Sequence, residues 1–168
     1  MQRRTLLKFG LGATVVLVVA GGGIALLQPG VSNGRLGEGA RAVMRAIAIT
    51  VLDGALPAPG TDRERALDEH LIRLEATITA FPESTRGEIS RLLALLASAP
   101  GRVALVGLGT QWPDASVTQV HTALQGLRLS SLALKQQAYH ALRDLTNAAY
   151  FSDPSAWAHM GYPGPMDI

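Results

Sequence analysis

The chain contains no cysteine. That absence excludes a disulfide framework, a thiolate zinc site, a cysteine-ligated iron–sulfur cluster and covalent haem attachment, and leaves the redox compartment undecided. Lysine is almost missing as well: Lys8 and Lys135 are the two, so arginine is the default cation. No acid occurs before Glu38. Neither a His-Glu-x-x-His helix nor a Gly-x-Ser-x-Gly elbow is present, so the sequence offers no zincin or serine-hydrolase site. Aromatic residues are scarce, and Tyr150, Phe151, Trp157 and Tyr162 crowd one short stretch near the end.

What is there is apolar and basic. With 168 residues and 48% hydrophobic content, the chain has length for one domain with a substantial core. The pI of about 9.4 invites a nucleic-acid reading. However, setting aside Arg3, Arg4 and Lys8 leaves 12 of the 15 basic residues against 13 acidic ones. A phosphate-binding domain carries a clustered basic face, and this remainder has none, so no nucleic-acid partner is expected.

Residues 1–30 read as a targeting segment. A basic start is followed by Phe9 to Leu27, a run without charge, and then by Gln28-Pro29-Gly30. Nineteen helical residues span about 28 Å, close to the hydrocarbon thickness of a bilayer. Gln2-Arg3-Arg4-Thr5-Leu6-Leu7-Lys8 is similar to the twin-arginine export signal at Arg3, Arg4, Leu7 and Lys8, with Leu6 in place of phenylalanine. Read otherwise, it is an ordinary secretory anchor. No small-x-small cleavage site precedes a mature start, so a retained anchor through residues 9–27 is expected. Positive charge on the amino side alone puts the N-terminus in the cytoplasm and residues 31–168 in the periplasm, at a bacterial inner membrane.

From residue 35 the apolar spacing is three and four. Val43, Ile47 and Val51 share a stripe; so do Leu67, Leu71, Leu74, Ile78 and Phe81; Ile89, Leu92, Leu93 and Leu96; Val117, Val120, Leu124 and Leu127; and Leu134, Ala138, Leu142, Leu145 and Ala149. Thr61-x-x-Glu64, Thr85-x-x-Glu88 and Ser116-x-x-Gln119 fit capping boxes. Pro57-Ala58-Pro59-Gly60 and Pro100-Gly101 break the pattern. No run alternates like a strand; Val103 to Leu108 comes nearest and is interrupted by Gly107. The expectation is an all-α fold, a compact bundle of about five helices preceded by a hydrophobic signal or anchor helix.

His70, His121, His140 and His159 are the candidate metal ligands or bases, and none has another histidine three or four residues away. Asp144 follows His140 at i+4, a spacing that reads as a surface contact. Gly107-Leu108-Gly109 lacks the strand and third glycine of a dinucleotide loop and reads as a turn. Arg91, Arg102 and Arg128 are the cations available to an anion; dispersed in an arginine-rich sequence, they read as solvated surface. These readings lead to a non-catalytic chain with no metal and no cofactor of its own.

The tail has local logic. Asp153-Pro154 is an N-cap followed by proline at the first helical position; Ser155 to Met160 suits a short helix, closed by Gly161 in the left-handed region, and Tyr162-Pro163-Gly164-Pro165 runs extended. Either Trp157 and Tyr162 fold back onto the chain's own core, or the tail presents aromatic anchors to another protein. Tyr150-Phe151-Ser152-Asp153-Pro154, Trp157 and Gly161-Tyr162-Pro163-Gly164-Pro165 together resemble the C-terminal signature of the gluconate 2-dehydrogenase subunit 3 family. Met44-Arg45-Ala46-Ile47, Val51-Leu52 and Leu56-Pro57 are similar to that family too, although Asp53-Gly54-Ala55 intervenes here. The resemblance implies a small helical subunit that escorts, stabilises and anchors a flavoprotein of the glucose–methanol–choline type. FAD would belong to that partner, which would oxidise a sugar or alcohol and pass electrons to a cytochrome c or a quinone. It also implies that Tyr150, Phe151, Asp153, Pro154, Trp157, Tyr162, Pro163 and Pro165 contact the partner. The competing expectation is an independent, membrane-anchored periplasmic domain that binds a small ligand between its helices.

Overall fold

The computed structural model describes residues 28–164. Arg3, Arg4, Leu7 and Lys8, expected to form an export signal, the apolar run 9–27 and Pro165 lie outside them. Within the described residues the fold is mostly helical, with five long helices. These are α1 (Glu38–Val51), α2 (Thr61–Thr79), α3 (Glu83–Ala97), α4 (Val117–Arg128) and α5 (Ala133–Phe151). A wide turn at Arg102–Val106 and 3-10 turns at Trp112–Asp114 and Pro154–Met160 complete the order.

Helix α1 is the centre. Its segment EGARAVMRAIAITV is apolar on most of its circumference, and Ala40, Val43, Met44, Ala46, Ile47, Ala48 and Thr50 are all buried. A helix apolar nearly all round has to be covered on several sides. Accordingly, α2, α3, α4 and α5 all pack against it. Its charged face carries Arg41 and Arg45, which pair with Asp68, Glu64 and Glu75 of α2. Partly exposed pairs of this kind fix register more than they add stability. Leu71, Leu74 and Ile78 of α2, Leu92, Leu93 and Leu96 of α3, Leu124 and Leu127 of α4, and Leu142 and Leu145 of α5 complete the main core. The apolar stripes expected from the sequence therefore face inward, except at exposed Val117 and at half-buried Val51, Phe81 and Leu134.

Two local expectations are corrected. Val31–Ser32 and Arg35–Leu36 form an antiparallel two-stranded hairpin, β1 and β2, around Asn33 (φ 51°) and Gly34 (φ 75°). Strands of two residues are too short to alternate visibly; only the Asn-Gly pair, the usual left-handed hairpin turn, marked the site. Ser90 of α3 completes the edge, its hydroxyl accepting from Val31 N–H at 2.9 Å and donating to Val31 C=O at 3.1 Å. Gly30 lies so close to α3 that a Cβ there would come within 2.5 Å of the Ser90 carbonyl oxygen. The residue after Gln28-Pro29 is thus part of the folded body.

Of the three capping boxes, only Ser116–Gln119 forms, with both reciprocal hydrogen bonds. Helix α2 begins at Thr61 with Gly60 before it, and α3 begins at Glu83 after Pro82. Pro82 stands at the N-cap, ahead of the position the capping box would need, so Thr85 falls inside the helix. Val103 to Leu108 is the wide turn and its exit, ended by Gly107 at φ 76°. The tail's short helix forms as expected, and it is of the 3-10 type.

Trp112 was not singled out by its spacing, yet it is 3% exposed in the core. Its indole N–H donates to Leu96 C=O at 2.7 Å. That carbonyl is in the last turn of α3 and has no helical donor four residues on in the Ser98–Gly101 bend. The tryptophan thus supplies volume and a helix C-terminal partner together. Among the described residues no single helix is long and apolar enough to cross a membrane; α3 with the segment Ala99–Val106 passes jointly but bends by 85°.

Candidate functional site

The tail starts where α5 ends. Asp153 caps the following 3-10 helix, its carboxylate accepting from Ser155 N–H at 2.9 Å, with Pro154 behind it as the sequence indicates. Gly161 closes the helix at φ 66°, also as expected. Three further contacts hold the segment. The Trp157 indole N–H donates to Phe151 C=O at 2.8 Å. Tyr162 N–H donates to Trp157 C=O at 3.1 Å. The Trp157 and Tyr162 rings meet edge to face at 5.6 Å. Gly164, at φ 99°, turns the end of the expected extended run back, so that a Cβ there would lie 3.5 Å from the Trp157 ring.

These bonds make the tail a small folded unit on its own terms. Ala156 is buried, Trp157 is half-buried, and neither Trp157 nor Tyr162 belongs to the apolar clusters of the bundle. Tyr150 packs against the lesser cluster of Ala48, Leu52 and Leu67. Phe151 is 38% exposed and Tyr162 49% exposed, while Pro154 and Pro163 are exposed beside them. The outward surface is therefore aromatic and stiff.

The unit is tied to α2 by one residue. Arg73 meets Asp153 at 3.2 Å and donates from Nε to Ala149 C=O at 3.3 Å. The hydrogen bonds from Ser155, together with the Arg73 charge, hold the Asp153 carboxyl below the usual carboxylate range. Between α2, the Leu52–Pro57 loop and the tail lies a cleft of about 370 Å³. Leu52, Ala55, Leu56, Ala66 and Ala156 give it apolar walls; Glu69, His70, Arg73, Tyr150 and Asp153 give it polar ones.

His70 is the functional candidate that spacing alone passes over. It is 1% exposed, and neither ring nitrogen has a hydrogen-bond partner among the described residues. Burial, with Arg73 nearby, lowers its pKa to about 4, so the ring is neutral at neutral pH. The signal was available: residue 70 falls three after Leu67 and four before Leu74, on the buried stripe of α2. The other sequence candidates scatter. His121 touches Gln125 on an exposed face, and Asp144 bonds Arg143 at 2.7 Å rather than His140, which packs edge-on to Tyr139. Arg102 donates to Leu108 C=O, Arg128 to the Gln125 side chain, and Arg91 lies along a different groove by the hairpin. Among the described residues no three His, Asp or Glu side chains are grouped to hold a metal.

Among the described residues no hydroxyl hydrogen-bonds the His70 ring. The arrangement offers a stiff aromatic surface beside a cleft whose wall holds an unsatisfied imidazole. Compared with known protein families, curated proteins and solved structures, the chain matches none.

Proposed function

We propose that this chain is the small, non-catalytic subunit of a membrane-associated, FAD-dependent sugar or alcohol dehydrogenase of the glucose–methanol–choline type. In this reading it belongs with the gluconate 2-dehydrogenase subunit 3 family, which its tail resembles. It stabilises the flavoprotein, carries its export signal at Arg3, Arg4, Leu7 and Lys8, and anchors it through residues 9–27. The domain then faces the periplasm from the inner membrane, and electrons leave the flavoprotein for a cytochrome c or a quinone.

The observation that supports this reading is the tail's construction. Its bonds are internal, so docking freezes few further torsions, and Phe151 and Tyr162 point apolar area outward. The test is a pull-down of the tagged full-length chain from solubilised membranes, followed by an absorbance scan. Flavin absorbance with a co-purifying large chain is expected, and Trp157→Ala should lose both. A colourless, lone chain refutes the subunit reading; a complex that survives Trp157→Ala shows that the tail is not what docks. A second reading, an independent ligand-binding domain, draws its support from the cleft at His70.

A further inference from the structure

The start of the folded body is pinned to the edge of a basic groove. Gly30 lies against α3, its carbonyl accepts from Gly37 N–H at 2.9 Å, and the Ser90 hydroxyl holds Val31 at both backbone atoms. Only Gln28 and Pro29 separate Gly30 from Leu27, where the apolar run ends. The three steps from Leu27 to Gly30 reach about 10 Å at full extension. With residues 9–27 in the bilayer, the reading on which this inference rests, Gly30 and the α3 backbone beside it stand within about 10 Å of the hydrocarbon edge. The headgroup layer there is about 5–8 Å deep. This part of the body therefore meets the headgroups.

Ser90 also lines a groove of about 1000 Å³ between the hairpin, the second half of α2 and the first half of α3. Arg35 of β2 and Arg86 and Arg91 of α3 share it. Arg35 and Arg91 are exposed, Arg86 is half-buried, and none of them makes an ion pair among the described residues. Of the two carboxylates in the groove, Glu75 is engaged by Arg41 at 3.6 Å and by Leu36 N–H at 3.1 Å. Glu83 remains, in the first turn of α3. Three arginines against that one acid leave a net charge of +2. Ile72, 61% exposed, and Ala76 one turn on give the same groove aliphatic surface. Cations beside exposed aliphatic side chains suit a layer that offers phosphate oxygens with hydrocarbon beneath. The short tether also argues against an acidic protein here, because a gap of about 10 Å barely admits one helix with its side chains.

We propose that the groove of Arg35, Arg86 and Arg91 is a docking surface for anionic phospholipid headgroups, which sets this face of the domain against the membrane.

The absence of cysteine lets one introduced thiol carry a fluorophore on the full-length chain. Gly87 lines the groove and a Cβ there meets nothing within 4 Å, so Gly87→Cys is the reporter. Ala58→Cys is the control: it is exposed in the loop before α2, at the opposite end of that helix from the groove. Both are reconstituted into phosphatidylcholine vesicles with or without about one-third phosphatidylglycerol, with a trace of headgroup-spin-labelled lipid as quencher. Each net positive charge near an anionic surface changes the docked-to-undocked ratio about fivefold, so a charge of +2 should raise it roughly 25-fold. Quenching at position 87 should rise with phosphatidylglycerol, fall back in high salt, and stay flat at position 58. Replacing the three arginines together (Arg35→Gln, Arg86→Gln and Arg91→Gln) should abolish the rise. Equal quenching at position 87 in the two vesicles, a matching rise at position 58, or a rise that survives the triple variant overturns the proposal. The lipid and salt comparisons decide the matter on the native charges even if the triple variant fails to fold. Flotation separates the groove from the anchor. A chain that floats with pure phosphatidylcholine has its anchor. One that floats only with anionic vesicles, and not as the triple variant, lacks the anchor and keeps the groove; one that floats with neither refutes both.

Discussion

Acid should weaken this fold through His70 before it reaches most of the carboxylates. The ring's pKa is lowered from 6.5 to about 4, first by burial and then by Arg73. Between those values the unfolded chain binds a proton that the native chain refuses. Stability is therefore fully present above pH 7 and falls as pH drops through 6.5 toward 4. The limiting slope is about 1.4 kcal/mol per pH unit, and integration from pH 7.5 to 4.5 gives a loss of about 2–3 kcal/mol. For a body of this size that corresponds to roughly 10 °C in melting temperature. Glu69 and Arg73 on α2, with Tyr150 of α5 and Asp153 of the tail, line the same cleft and contribute their own background. The informative quantity is therefore the difference between wild type and His70→Leu. Urea unfolding at half-unit pH intervals measures it: the wild-type curve should fall away from the variant's by about 2–3 kcal/mol at pH 4.5. Two parallel curves would mean that the ring is protonated as easily folded as unfolded, and the burial argument for His70 would be wrong.

Trp112→Phe keeps most of the ring volume but leaves the Leu96 carbonyl without its 2.7 Å donor, so chemical denaturation should show a loss of about 1–3 kcal/mol. Ser116→Ala removes the one capping box that forms and should cost about 1 kcal/mol in the same assay. Arg73→Ala should leave the bundle folded while loosening the tail, seen as faster hydrogen exchange at the amides of residues 153–157 with α3 protection unchanged.

The helical body was legible because its stripes are long and regular: Leu67, Leu71, Leu74 and Ile78 repeat often enough for a 3.6-residue period to stand out, and all four are buried. Spacing says which face is apolar but not how many neighbours cover it, which is why α1 gave no sign of being central. The hairpin escaped because its pairing rests on backbone turn geometry and on Ser90, distant in sequence. Thr61 and Thr85 show that a capping pattern is only a possibility until competing starters, Gly60 and Pro82, are weighed. The tail's local features were readable residue by residue, from the Asp153 cap to the left-handed Gly161. The cleft was not. It needs Arg73 to reach Asp153 and Ala149, contacts between parts of the chain some eighty positions apart that no local pattern encodes. His70 shows the same limit, since a polar letter on an apolar stripe announces burial but not whether a partner awaits it.

The central place of α1 also governs the timing of assembly. Among the described residues this helix leaves the ribosome before any other long helix, yet two of its walls, α4 and α5, begin more than 60 positions later. Contacts at such separation form late and slowly. Until α5 emerges, the most apolar surface of the domain has no complete cover, and until the tail follows, the cleft at His70 lacks a side. Whatever has to meet the bundle unfolded can do so until α5 has emerged; whatever requires it folded must wait for the tail that follows α5.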